Sequence, residues 1–83
     1  MSLELIYTDR ARRDIESLDQ LAQKRIAKKI IVLKENPIQK SKKLIDSRLG
    51  TYRYRIGDYR VIFDIHGKKV VILRIGHRRE IYR

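Results

Sequence analysis

The strongest pattern in the chain is the alternation of apolar and charged residues over positions 52–63, which is interrupted by Gly57-Asp58. Alternation in a segment rich in aromatic and β-branched residues is typical of strands, and a Gly-Asp pair between two strands predicts a two-residue hairpin turn with a positive φ at the glycine. A turn of this length fixes the register and places Arg55 opposite Arg60. Because side chains alternate across a strand, one face of the hairpin is apolar and the other is basic. The apolar face carries Tyr52, Tyr54, Ile56, Tyr59, Val61 and Phe63, and the basic face carries Arg53, Arg55 and Arg60.

The N-terminal half of the chain predicts one strand followed by two helices. Residues 3–7 alternate as a strand does, and Thr8 or Asp9 offers an N-cap for a helix over about 10–18. Asp19 caps a second helix, which runs from Gln20 to about residue 35 and ends before Pro37, because a residue that precedes proline avoids the α region. The main apolar stripe of this helix is Ala22, Ile26, Ile30 and Leu33, and we expect Leu21, Ala27 and Ile31 to widen it.

The C-terminal half predicts a basic loop and three strands. Residues 38–50 form the loop, the hairpin follows, and His66-Gly67 makes the next turn. The continuous apolar run within 68–75 is typical of a central strand, and we expect Gly76 to end it. The order strand, helix, helix and three strands predicts an α+β fold for one domain over 1–83. A helical hairpin covers one face of a mainly antiparallel sheet, whose last three strands form an antiparallel meander, and the other face stays open.

The net charge of the chain limits the kinds of partner that it is suited to bind. Lysine and arginine total 21 against 10 acidic residues, a formal net charge of +11, which indicates a phosphate-rich partner, an acidic protein partner, or both. Cysteine is absent, so neither a disulfide framework nor a thiolate metal site is available. We expect no metal and no cofactor. The apolar stretch in the first seven residues is too short and too soon charged for a signal peptide, and no apolar run in the sequence approaches membrane length, so we expect a cytoplasmic protein with no membrane partner.

The basic face of the hairpin is the candidate site. Like charges that lie opposite each other across two strands are destabilising, and the cost falls if a polyanion covers Arg55 and Arg60. The alternatives are a solvated sheet face that happens to be basic, or a bulge that shifts the register of the hairpin. The sequence has no motif for an activated nucleophile, whereas RNA supplies its own 2′-hydroxyl beside the scissile phosphate. Arg53, Arg55 and Arg60 would then form a phosphate cradle, since a guanidinium matches phosphate oxygens and stays protonated. Arg78 adds a donor if the C-terminal residues fold back over the open face.

The candidates for proton transfer are His77, Tyr82 and Glu80. Tyr82 could instead stack on a splayed base, as in many complexes with single-stranded RNA, or anchor the C-terminal residues on the core. For an isolated histidine such as His77, next to Gly76, an ordinary surface position in a turn is the more common case; if it belongs to the site, we expect it to bind substrate together with Arg53, Arg55 and Arg79.

Residues 52–63 and 70–82, with the ending Gly-His-Arg-Arg-Glu-Ile-Tyr, resemble the RelE/ParE toxin superfamily, and RelE more than ParE. The order of the preceding strand and helices agrees, so the resemblance covers essentially the whole chain. It implies the toxin of a type II toxin–antitoxin pair, a ribosome-dependent endonuclease that cuts mRNA in the A site with the substrate 2′-hydroxyl as nucleophile and without metal. It also implies a cognate antitoxin, and operator DNA as a partner only through the toxin–antitoxin complex.

The resemblance assigns roles to individual positions. The family's two basic residues on the first hairpin strand correspond to Arg53 and Arg55, and the arginine of its Gly-x-Tyr-Arg motif is Arg60. The arginine after the last strand corresponds to Arg78, with Arg79 as a one-residue alternative, and the C-terminal tyrosine is Tyr82. The spacing between Arg78 and Tyr82 is shorter than in the best-studied type of the family, which is a departure from the family pattern.

Two other functions fit the same sequence. A ParE-like inhibitor of DNA gyrase would share the fold and need no phosphate cradle. A non-enzymatic nucleic-acid-binding module would need only the net charge of +11, and its binding would weaken steeply with salt.

Overall fold

A computed structural model describes residues 3–38 and 52–81, together with the backbone of 41–43. The described strands form one five-stranded sheet in the order β1-β5-β4-β3-β2. The strands are β1 (Glu4–Tyr7), β2 (Ser41–Lys43), β3 (Tyr52–Ile56), β4 (Tyr59–His66) and β5 (Lys69–His77). β1 pairs with β5 in parallel, and every other pair of neighbours is antiparallel. The predicted α+β fold with its antiparallel meander β3-β4-β5 is confirmed.

The two helices begin where the sequence places their caps. In α1 (Asp9–Glu16) the cap is Thr8, whose hydroxyl accepts a hydrogen bond from the amide of Ala11 at 3.1 Å. In α2 (Gln20–Ile30) the carboxylate of Asp19 accepts from the amide of Ala22 at 2.7 Å. α2 is shorter than predicted because the chain tightens into a 3-10 helix over Ile31–Lys34. Among the described residues, no helix is long and apolar enough to cross a membrane.

Both helices pack on one face of the sheet, which we call the helix face. Its core contains Ala11, Ile26, Ile30 and Leu33 from the helical segment, and Tyr54, Ile56, Val61, Phe63, Val70, Ile72 and Ile75 from the strands. The main stripe predicted for α2 is therefore confirmed. The predicted widening of that stripe is wrong: Leu21 is 80% exposed, Ile31 is 58% exposed and Ala27 lies on the surface. These residues are rotated too far from the stripe to reach the sheet.

The β3-β4 hairpin has the predicted register, with Ile56 opposite Tyr59 and Arg55 opposite Arg60. Gly57 has a φ of +59° and the turn has no other residue with positive φ, which matches a type II′ turn. The next turn is Gly67-Lys68 rather than the predicted His66-Gly67, because His66 still pairs with Lys69.

Two predictions about the C-terminal half are wrong. Residues 41–43, predicted to lie in a loop, form the short edge strand β2, which pairs with the outer edge of β3. Its Ser-Lys-Lys sequence has no apolar alternation to reveal it, and lysines are typical of edge strands that avoid further pairing. Gly76 does not end β5, because it pairs with Arg60 and the strand continues to His77. The other predicted loop residues, 39–40 and 44–50, lie outside the described residues.

Candidate nucleic-acid interface

The face of the sheet opposite the helices carries a row of arginines, and we call it the arginine face. The register places Arg55, Arg60 and Gly76 side by side across β3, β4 and β5. The next row inward is Arg53, Ile62 and Arg74. The predicted basic face of the hairpin therefore exists, and β5 adds Arg74 to its second row, with the Arg74 guanidinium paired to Asp14 of α1.

Arg60 is buried, with only 5% of its surface exposed. Its Nη1 donates hydrogen bonds to the carbonyl oxygens of Gly57 and Tyr59, both at 2.9 Å. A buried guanidinium requires such acceptors, since burying a charged donor without them is costly. The guanidinium therefore turns back onto the hairpin turn, where it braces the backbone.

Arg55 differs from its buried neighbour because it is exposed to solvent, while Arg53 is half-buried. The like charges of Arg55 and Arg60 are directly opposite in register. The cost of that pairing is reduced in two ways, because Arg60 faces carbonyl dipoles and Arg55 stays in water. An exposed guanidinium beside a fixed one is suited to bind a phosphate group.

The residues after β5 fold back over the arginine face. The amide of Arg78 donates to the carbonyl of Asp58 at 2.8 Å, and the amides of Glu80 and Ile81 donate to the carbonyl of His77. The Ile81 side chain, 1% exposed, packs on Gly76, where an added Cβ would lie 3.8 Å from that of Ile81. The described part of the tail thus reaches the arginine face, as required for the predicted role of Arg78.

The exposed side chains of this tail lie at the same end of the sheet as the hairpin turn. Arg78, Arg79 and Glu80 are all exposed. The structure therefore brings the candidates Arg55, Arg60, Arg78 and Arg79 to one end of the sheet, with Arg53 one row inward. Tyr82 lies outside the described residues.

His77 lies on the other side of the sheet. It is the register partner of Tyr59, a residue of the helix face, and the two rings meet edge to face with centroids 5.9 Å apart. Its Nδ1 accepts a hydrogen bond from the amide of Arg79 at 3.2 Å. The structure therefore separates His77 from Arg55 and Arg60, and its predicted part in substrate binding stays a prediction that this geometry does not favour.

Two arginines near the site make contacts that the sequence did not predict. The carboxylate of Asp14 on α1 accepts hydrogen bonds from the Nε of Arg74 at 2.8 Å and from the amide of Ile75 at 3.0 Å. On the helix side of the hairpin turn, the guanidinium of Arg25 lies so close to Gly57 that a Cβ there would be 2.7 Å from its Nη2. A lone arginine in a lysine-rich helix carries no sequence signal for this contact.

The remaining titratable groups give little support to another site. Among the described residues, no group of three or more histidine, aspartate or glutamate side chains is arranged to hold a metal ion. Burial raises the pKa of Tyr7 above its ordinary value. Tyr7 lines a groove of about 410 Å³ together with Leu5, Ile6, Arg12 and Ile15. This groove contains none of the arginines of the arginine face.

Comparison with known proteins agrees with this architecture. Residues 5–82 match the family model described as the ParE toxin of the type II toxin–antitoxin system, parDE. The chain belongs to the RelE/ParE family. It is a RelE-like toxin of a type II toxin–antitoxin system, as the sequence resemblance implied. It is 34% identical to Toxin RelG of Mycobacterium tuberculosis, over 93% of this chain and 92% of that protein.

Solved structures of RelE/ParE toxins share the fold. The toxin–antitoxin complex RelBE2 of Mycobacterium tuberculosis contains a chain that is 30% identical, with a TM-score of 0.85 over 94% of this chain and 100% of the other. The Escherichia coli toxin RelE, solved as a mutant in the free state, is 20% identical, with a TM-score of 0.72 over 99% of this chain and 92% of the other. The second likeness supports the fold alone.

Proposed function

We propose that this RelE/ParE toxin is a metal-independent endoribonuclease that cleaves mRNA in the A site of the ribosome. The observation that carries the proposal is the pairing of an exposed arginine, Arg55, with a buried and backbone-anchored one, Arg60, on the arginine face. Its membership of a family that includes RelE toxins supports the same reaction.

The reaction needs positioning and charge stabilisation more than a protein nucleophile. The 2′-oxygen of the substrate attacks the adjacent phosphorus, the bond to the 5′-oxygen breaks, and a 2′,3′-cyclic phosphate remains. Arg55, with Arg53 behind it, holds the phosphate in line for this attack. The charge that develops on the phosphorane is stabilised directly by Arg55 and by Arg78 or Arg79 from the tail, and the positive charge of the buried Arg60 beside Arg55 adds to the field at the phosphate.

Two protons must move during cleavage. One leaves the 2′-hydroxyl, and one is delivered to the departing 5′-oxygen. Tyr82 and the exposed Glu80 are the candidates for these transfers, because the tail that carries Glu80 lies on the arginine face. His77 is less suited, since it contacts Tyr59 on the helix face.

The proposed partners follow from the same surfaces. A cognate antitoxin would cover the arginine face with acidic residues and place apolar residues on the helices, where Leu21 and Ile31 are exposed. Solved relatives include toxin–antitoxin complexes. Operator DNA would bind only through the antitoxin complex, and a ribosomal target implies a cytoplasmic location.

The test is primer extension on a defined mRNA in a translation extract, with and without ribosomes. Wild type is compared with Arg55→Ala, Arg60→Ala and Tyr82→Phe. The matched control is Arg13→Ala, which removes one exposed positive charge from α1. We expect cleavage inside codons that requires ribosomes, that falls at least about a hundredfold in Arg55→Ala, and that persists in Arg13→Ala. Intact mRNA at toxin concentrations that arrest growth would refute the proposal.

A second candidate function is inhibition of DNA gyrase, which the match to the ParE family model favours. The two functions differ in their dependence on the arginine face. An inhibitor of gyrase would block supercoiling in a purified assay and would retain that effect in Tyr82→Phe. Loss of mRNA cleavage in Arg55→Ala, together with unaffected gyrase in the presence of wild-type protein, would exclude this second function.

A further inference from the structure

β5 contains a bulge directly before Arg74 and Gly76, the two residues that it contributes to the arginine face. Ile62 of β4 pairs with Arg74, whereas its neighbour Phe63 pairs with Ile72, so that Leu73 is an extra residue in β5. The extra residue shifts the alternation of side chains by one position, so even-numbered residues of β5 face the helices before the bulge and odd-numbered residues face them after it. Val70 and Ile72 lie on the helix face before the bulge, and Ile75 lies on the same face after it.

The composition of the arginine face depends on this one-residue shift of the side-chain alternation in β5. Without the bulge, the pairing of Phe63 with Ile72 would continue as Arg60 opposite Ile75 and Val61 opposite Arg74. Arg74 would then enter the apolar core, and the Ile75 side chain would stand beside Arg60. In the structure Gly76 stands there instead, and the space above it holds Ile81.

Residues of α1 and its cap hold the backbone on both sides of Leu73. Thr8 donates from its amide to the carbonyl of Ile72 at 3.1 Å and from its hydroxyl to that of Leu73 at 3.3 Å. The carboxylate of Asp14 then accepts from the amide of Ile75 and from the Nε of Arg74. The Asp14 side chain is 13% exposed, so these bonds are shielded from water.

We propose that Asp14 is a positioning residue that fixes the bulge of β5 and thereby sets Gly76, rather than Ile75, beside Arg60. The bond to the Ile75 amide takes the place of a strand partner, because among the described strands β1 is the neighbour on this edge of β5 and it ends at Tyr7. The hydrogen bond from the Arg74 side chain favours the strand register in which that side chain lies outside the core. Asp14 thus acts on the site through β5, without contact with substrate.

The first arm of the test measures the register and does not depend on any activity. Cross-strand nuclear Overhauser contacts are recorded for wild type, Asp14→Asn and Asp14→Leu, with Glu16→Leu as the control on the exposed side of α1. We expect the Arg60–Gly76 contact in wild type, Asp14→Asn and Glu16→Leu, because the asparagine oxygen still accepts from the Ile75 amide. In Asp14→Leu this contact is lost or replaced by one between Arg60 and Ile75.

If Asp14→Leu does not fold, Asp14→Ser gives the same test, since its side chain is too short to reach the amide of Ile75. A folded Asp14→Leu or Asp14→Ser protein that keeps the Arg60–Gly76 contact at wild-type intensity would overturn the proposal.

The second arm rests on the proposed function and measures ribosome-dependent cleavage. We expect kcat to fall about a hundredfold in Asp14→Leu with KM changed less than about threefold, and Asp14→Asn to restore kcat to within about threefold of wild type. Unchanged kcat in a folded Asp14→Leu protein would mean that Asp14 only stabilises the fold. Absence of cleavage by wild type would refute the proposed function instead, and the register arm would still decide the role of Asp14.

Discussion

The two faces of one sheet differ in how they use the same strands. On the helix face, Val61, Phe63, Val70 and Ile72 are fully buried in one continuous core. On the arginine face, β3 carries Arg53 and Arg55, and β4 carries the buried Arg60 next to the fully buried Ile62; of these three guanidinium groups, Arg55 is the exposed one. The alternation of strand side chains therefore separates stability from chemistry. Substitution of the buried Phe63 and of the exposed Arg55 should therefore each affect one property without the other.

The largest effect on stability is expected from Phe63→Ala on the helix face. Phe63 is fully buried and its ring stacks on that of Tyr52, with centroids 5.4 Å apart. Loss of the ring leaves a cavity and should lower the free energy of unfolding by about 3–5 kcal/mol. Urea denaturation followed by circular dichroism measures this.

Arg55→Ala on the arginine face is the counterpart of that variant. Its unfolding free energy should stay within about 0.5 kcal/mol of wild type, as for most surface substitutions, while cleavage is lost. A stability loss comparable to that of Phe63→Ala would show that the two faces are not separated.

The next largest effect is expected from Arg60→Ala, which tests whether the arginine face is uniform. The carbonyls of Gly57 and Tyr59 lose the Nη1 donor, and the buried space of the side chain is emptied. Unfolding free energy should fall by about 1–3 kcal/mol. Thermal melts of Arg60→Ala and Arg55→Ala side by side provide the measurement, and equal melting temperatures would contradict the bracing role of Arg60.

A smaller effect is expected from alanine at the hairpin turn. Gly57 and Gly67 both have positive φ, +59° and +61°, so alanine at either should cost about 1 kcal/mol. Only Gly57 also faces the Arg25 guanidinium, while nothing lies within 4 Å of a Cβ at Gly67. We expect Gly57→Ala to be the more destabilising of the two in chemical denaturation, by a few tenths of a kcal/mol, and the reverse order would mean that the contact with Arg25 is unimportant.

The smallest effect is expected on the pH dependence of stability, from Tyr7→Phe on the helix face of the sheet. Burial raises the pKa of Tyr7 above its unfolded value near 10. The folded state then holds the phenol proton more tightly than the unfolded state, so its contribution is fully present below about pH 10 and is lost as pH rises through the folded pKa. Stability measured from pH 8 to pH 11 should fall less in Tyr7→Phe than in wild type. Identical slopes would contradict the assignment.

Local chemistry explains which parts of the fold could be predicted from the sequence. The hairpin register follows from the two-residue turn at Gly57, and the start of each helix follows from the capping side chains of Thr8 and Asp19. These features depend on residues within a few positions of one another. The edge strand β2 was missed because its Ser-Lys-Lys sequence has no apolar alternation, whereas its pairing with β3 is a tertiary contact.

The details of the site depend on contacts between distant positions. The packing of Ile81 on Gly76, next to the buried Arg60, could not be predicted because it joins the tail to the sheet through tertiary contacts. The side of the sheet on which His77 lies could have been predicted, since it is two residues from Ile75 and strand residues so spaced share a face. The bulge also had a signal, because Val70 and Ile72 alternate in one phase and Ile75 in the other, with Arg74 between them.

β1 is the first strand of the chain to be synthesised and β5 is the last, yet the two are neighbours in the sheet. Thr8 and Leu73, which are joined by a hydrogen bond, are 65 positions apart, and such non-local contacts form late in folding. The growing chain therefore cannot close its sheet until residues 69–77 have been added. For a protein whose proposed target is the ribosome, this order means that residues 69–77 must have been synthesised before a folded toxin exists.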